Sequence, residues 1–154
     1  MNYNGDLIQY SLDGRLISNY PQVTNSKTML QSVAVFEENL FICDNLGFLK
    51  KFLISSGDLI RNYGKVHFND HNIRSICCGK DSIFMLEDTI RGNAEHQYLR
   101  FGRLNQWNYS LRKFSKIYWE NNQDQYDNVI CHGDNMFVTF LNGNKTNTYS
   151  LENE

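Results

Sequence analysis

Few side chains in this sequence are capable of chemistry, and they are scattered. His67, Asp70 and His71 stand within five residues of one another, and imidazole with carboxylate is a donor set that divalent metals use. One short segment supplies all three, and no further ligand set recurs at a spacing that would join them. The cluster therefore reads as a polar loop, and no metal is assigned. Cys131 precedes His132, a pairing that activates a thiolate when the geometry allows it. The four cysteines, Cys43, Cys77, Cys78 and Cys131, include no pair at C-x-x-C spacing, and the neighbours Cys77 and Cys78 would point to opposite faces of a strand. They are expected to be small buried hydrophobes in a reduced setting. Arg112, Lys113 and Lys116 form the nearest approach to a basic cluster, but they alternate with apolar residues as a solvated strand face does. No nucleophile elbow, phosphate-cradling glycine loop or paired carboxylates occur in a supporting context, so no catalytic residue and no cofactor is assigned and a non-enzymatic role is expected.

The elements that would have to position any site are strands. The 154 residues include 20 Asn but only 1 Pro and 2 Ala, and 14% are aromatic, a composition poor in helix formers and rich in residues favouring strands and tight turns. Fifteen Lys and Arg against seventeen Asp and Glu give a net charge of −2, which does not favour nucleic acid as a partner. The longest apolar runs, such as 83–86, are far short of the roughly 20 residues that span a bilayer, so no membrane association is expected. A polar N-terminal stretch lacks the basic and apolar regions of a secretory signal, and a cytoplasmic location is expected.

The strongest signal is an internal repeat. Gly14, Leu16, Ile17, Asn19 and Tyr20 recur as Gly57, Leu59, Ile60, Asn62 and Tyr63, an offset of 43. The same offset relates Ser32 and Val33 to Ser75 and Ile76, and Leu40 and Phe41 to Ile83 and Phe84. A third copy carries Asn128 and Val129 with Met136 and Phe137. In this alignment Cys131 falls on Cys78 and Val35, which favours a core role over a reactive one. The in-phase aromatics Phe41, Phe84 and Phe137 are expected to pack between repeats rather than to cage a ligand. Gly5, Leu7 and Tyr10 recur as Gly47, Leu49 and Phe52, then as Gly102, Leu104 and Trp107, with a weaker copy over 144–149. Turn signals divide each unit into four short strands, and units of about 42 residues with four strands are the mark of a β-propeller blade.

The chain resembles a divergent WD-repeat protein over nearly its whole length. The aromatic-plus-acidic pair that closes the family's third strand is echoed by Trp107 with Asn108, and by Tyr10, Phe52 and Tyr149 at the aromatic position. His67 and His71 are candidates for the histidine between blades, and Asp44 with Asn45 for the acidic turn. No blade carries the full set of His, Ser, Asp and Trp, and His67 aligns with Thr24 and Tyr118, so apolar packing must carry most of the stability.

The expectation is an all-β fold of propeller blades with four antiparallel strands in a partial ring of about three and a quarter blades. Two strands over 5–20 are followed by a blade at 21–63, a blade at 64–118 with an insertion at 88–97, and an incomplete blade at 119–154. So short an arc implies membership of a longer propeller, or completion by a second copy or a protein partner. The insertion at 88–97 and the connection at 119–125 fall in loop classes that share one face, and read either as a docking surface or as tolerated surface insertions. The residues singled out for partner binding are Arg91, His96, Trp119, Glu120, His67, Asp70 and His71. WD-repeat resemblance implies a protein-interaction scaffold. The alternative is part of a propeller enzyme or small-ligand binder with a central-channel site, although Arg74 is the only charge read on the inner strands 32–35, 73–76 and 128–131.

Overall fold

The computed structural model describes residues 7–20, 23, 28–66, 72–92, 98–121, 126–140 and 146–150. Among them are thirteen strands and no helix: β1 (Leu7–Tyr10), β2 (Leu16–Tyr20), β3 (Leu30–Phe36), β4 (Asn39–Asp44), β5 (Phe48–Leu53), β6 (Leu59–Lys65), β7 (Asn72–Cys78), β8 (Ser82–Gly92), β9 (Tyr98–Asn108), β10 (Lys113–Asn121), β11 (Tyr126–His132), β12 (Asn135–Phe140) and β13 (Thr146–Ser150). They form four antiparallel sheets in chain order, of two, four, four and three strands.

Tight turns impose this meander. Phe36 pairs with Asn39 across Glu37 and Glu38, and His132 pairs with Asn135 across Gly133 and Asp134. Such two-residue connections need a left-handed residue to match the strand twist, and Glu37 (φ 52°) and Gly133 (φ 55°) supply it. Between β4 and β5 the Asp44 carboxylate accepts hydrogen bonds from the backbone N–H groups of Leu46 (3.0 Å) and Phe48 (2.9 Å), which holds the turn that Gly47 completes.

Period-two alternation sends successive side chains of one strand into two different cores. From β4, Leu40 and Ile42 pack against Tyr20 and Phe52, while Phe41 and Cys43 pack against Ile73, Ile76, Met85 and Trp107 of the next sheet. From β8, Ile83 and Met85 face back and Phe84 and Leu86 face forward onto Val129, Met136 and Val138. Middle strands are thus buried on both faces, which is why β4 and β8 read as near-continuous apolar runs.

Two expectations need correction. Residues 88–92 do not leave the sheet as a loop. They extend β8, which pairs with β9 in unbroken register from Ser82 opposite Asn108 to Gly92 opposite Tyr98, and β10 likewise continues through Trp119 and Glu120. A hairpin satisfies the backbone hydrogen bonds of those residues, which a loop would leave to water. The cysteines are not all unpaired core residues either: Cys77 and Cys131 form a disulfide with Cα atoms 5.5 Å apart, and Cys131 is only half-buried. Cys43 and Cys78 are the free, buried pair among the described residues, and burial pushes both thiols far up.

Candidate functional site

The first strands of the three larger sheets, β3, β7 and β11, lie side by side and line a groove of about 630 Å³. Each carries a register irregularity at the same repeat position: between Leu30 and Ser32, between Ile73 and Ser75, and between Tyr126 and Asn128. The residues skipped are Gln31, Arg74 and Asp127, all of which line the groove. A bulge places an extra residue on one strand and re-aims its side chain, so one irregularity repeated three times presents an amide, a guanidinium and a carboxylate. Arg74 Nε lies 2.6 Å from Asp88 Oδ2, and the Gln31 amide donates to the Arg74 carbonyl at 3.3 Å. Val33, Val35 and Ile130 add apolar surface. Arg74 is therefore not the only charge on the inner strands. Gln31 and Asp127 were not singled out from sequence: the repeat marks their place directly before Ser32 and Asn128, but only the bulge aims them into the groove.

The residue after each bulge ties neighbouring sheets together. Ile76 N–H donates to Ser32 Oγ at 3.1 Å, and Val129 N–H donates to Ser75 Oγ at 3.3 Å. The Ser75 hydroxyl in turn donates to Asn128 Oδ1. These hydroxyls accept from inner-strand N–H groups of the neighbouring sheet, the Val129 N–H being shared with Asn128 Oδ1 at 2.9 Å, and they hold the groove walls in fixed relation. The Cys77–Cys131 bridge joins the same two strands.

A second polar cluster lies at the base of the long β8–β9 hairpin. Glu87 is the repeat equivalent of Asp44, but β8 continues past it, so no turn N–H groups are offered to its carboxylate. Glu87 is 0% exposed, and burial lifts its carboxyl to about 7, opposed by the neighbouring Asn105 amide and by the charge of Arg103. Arg103 is its cross-strand partner on β9.

Of the residues singled out from sequence, His67, Asp70, His71 and His96 lie outside the described residues. Arg91 sits on β8 opposite Leu99, while Trp119 and Glu120 sit on β10 opposite Leu104 and Arg103. One sheet carries all three, but Arg91 is four positions beyond Glu87, which itself faces Arg103. That separates Arg91 from Glu120 by about 13 Å along the strands.

Comparison with known proteins bears on the fold alone. No family model matches the chain, and no curated protein does. Among solved structures, the WD40 repeats of RRP9 superpose with a TM-score of 0.61 at 9% identity, covering 96% of this chain and 46% of that one. The computationally designed Ika8 protein gives 0.53 at 9% identity, covering 96% and 53%. The fold is a partial β-propeller. The chain spans about half the length of these propeller structures.

Proposed function

We propose that this chain is a non-catalytic protein-interaction scaffold of the WD-repeat type, docking partners on the face carrying the β8–β9 hairpin and the β10–β11 connection, or at an open blade edge. The observation that carries the reading is the hairpin. Eleven-residue β8 and β9 extend well past their six-residue counterparts β4 and β5, and β10 runs beside them through Trp119 to end at Asn121 opposite Gly102, where the extension begins. A two-stranded projection on a firmly clasped arc, with Trp119 on the strand beside its base, is a way to present side chains, and interface anchors are enriched in Trp and Arg. Affinity capture tests it. Shortening the hairpin by residues 93–96, combined with Trp119→Ala, is expected to remove partners that the parent chain retains, and an identical set from both chains overturns the docking face.

A second reading, a small ligand in the groove, is favoured by the bulge-placed Gln31, Arg74 and Asp127. Tight binding of a metabolite that Arg74→Ala abolishes would establish that reading over the first.

A further inference from the structure

Two faces of the arc are repeat equivalents of faces that mate inside it. Val33 and Val35 are 43% and 60% exposed, yet their counterparts Ile76, Cys78 and Val129 are buried against a preceding blade. At the other end Ile130 is 50% exposed, whereas its counterparts Ala34 and Cys77 are buried against a following blade. Phe137, half-buried, stands where Phe41 and Phe84 are fully buried.

From this we infer that the arc pairs with a second copy of this chain, head to tail, through a shared blade. The inference rests on the edge-completion part of the scaffold reading. Strands β11 and β12 of one copy supply the inner half of that blade, and β1 and β2 of the other supply the outer half. Three observations fix this arrangement. In each copy β1 and β2 already cover the outer part of the β3–β6 blade, through Leu7 and Tyr20, and leave Val33 and Val35 bare beside an apolar cavity of about 210 Å³. Asn128 takes the repeat position of Ser32 and Ser75, whose hydroxyls accept from Ile76 and Val129 across a sheet boundary; its Oδ1 accepts from Ser75 and from Val129 N–H, and its exposed position stands at the equivalent boundary with Val33 of the second copy.

The third observation concerns the third strand, which β13 now provides. The position filled by buried Leu49 and Leu104 is Leu7 in β1 but exposed Thr146 in β13. β1 is therefore the strand made to face a following blade, and it displaces β13 from the edge of β12. Its Tyr10, now 58% exposed, then takes the place of Tyr149 against Tyr118, where the rings stand 5.9 Å apart. Each copy contributes two complete blades and the exchange makes two more, so two copies close a six-bladed ring, within the roughly four to eight blades at which propellers close.

Light scattering and sedimentation of the purified chain test this. At about 100 µM, where a micromolar association is nearly complete, the expected mass is twice 18.1 kDa. Val35→Asp and Ile130→Asp are each expected to weaken the dimer by at least about tenfold. Tyr10→Ala is expected to weaken it too, while Tyr149→Ala leaves it intact. Circular dichroism checks each fold, and Val35→Thr and Ile130→Thr replace any aspartate variant that does not fold. A chain that stays monomeric, an open-ended polymer, or a dimer indifferent to both aspartates overturns the inference. So does equal weakening by Tyr149→Ala, because the third strand is then not exchanged. None of these results touches partner capture by the hairpin, which stands or falls on its own test.

Discussion

Replacing Glu87 by Gln should make the protein more stable in neutral and alkaline solution and leave it nearly unchanged in acid. The carboxyl has an ordinary value of 4.5 and stands near 7 in the fold, because burial opposes ionisation more than Asn105 and Arg103 favour it. The folded chain therefore holds this proton more tightly than the unfolded chain does. Below 4.5 both states are protonated and the contribution of Glu87 is fully present. Between 4.5 and 7 the unfolded chain ionises first, and stability falls by 1.36 kcal/mol per pH unit until the folded carboxyl ionises as well. Summed from 4.5 to about 7 the loss is about 3 kcal/mol, a large part of the roughly 5–15 kcal/mol that a domain has. Gln keeps the shape and the hydrogen-bonding capacity but carries no charge, so its stability should not follow this slope. Urea unfolding read by the fluorescence of the two tryptophans, Trp107 and Trp119, gives both curves. The difference between variant and parent should be near zero at about pH 4.5 and reach about 3 kcal/mol in favour of the variant at about pH 8. A parent that is the more stable at pH 8 would refute the reasoning, because it would mean that the ionised carboxylate is held by Arg103 strongly enough to outweigh its burial. A pH-independent difference would refute it equally.

Ser32→Ala, which takes the hydroxyl acceptor from the Ile76 N–H, should cost about 1–2 kcal/mol, and Ser75→Ala less, because the Val129 N–H keeps Asn128 Oδ1 as an acceptor at 2.9 Å, whereas Ser56→Ala at an exposed turn should change little; denaturant midpoints compare the three. Glu37→Gly relieves a left-handed side chain in the β3–β4 turn and should stabilise by about 0.5–1 kcal/mol, measured as a rise in thermal midpoint. A thiol reagent should find the folded chain nearly inert, because Cys43 and Cys78 are buried with their thiols pushed up; denaturing without reductant should expose those two, and adding reductant should release Cys77 and Cys131.

Much of the fold was legible because a blade is a local object. Phe41 and Phe84 alternate with Ile42 and Ile83 at the strand period, and Gly47 and Gly102 announce third strands, so strand number and grouping followed from neighbours in sequence. The groove was less legible. Gln31 and Asp127 look like ordinary polar residues until a register skip in three strands aims them together. Glu87 and Asp44 share a repeat position, and nothing within the repeat says that one caps a turn while the other is buried without one. That difference arises only because β8 runs on to Gly92.

A repeating series of strands and turns, with two four-stranded units at its centre, follows from the order of residues, since side-chain alternation and turn chemistry act over a few residues. Tertiary structure alone decided which units meet and what the meeting does to particular groups. The Cys77–Cys131 bridge and the Ser75–Val129 clasp join positions 54 residues apart. The high carboxyl of Glu87 and the bare flanks at Val33 and Ile130 likewise depend on which blade is present to cover them, because desolvation is a property of the neighbour as much as of the residue.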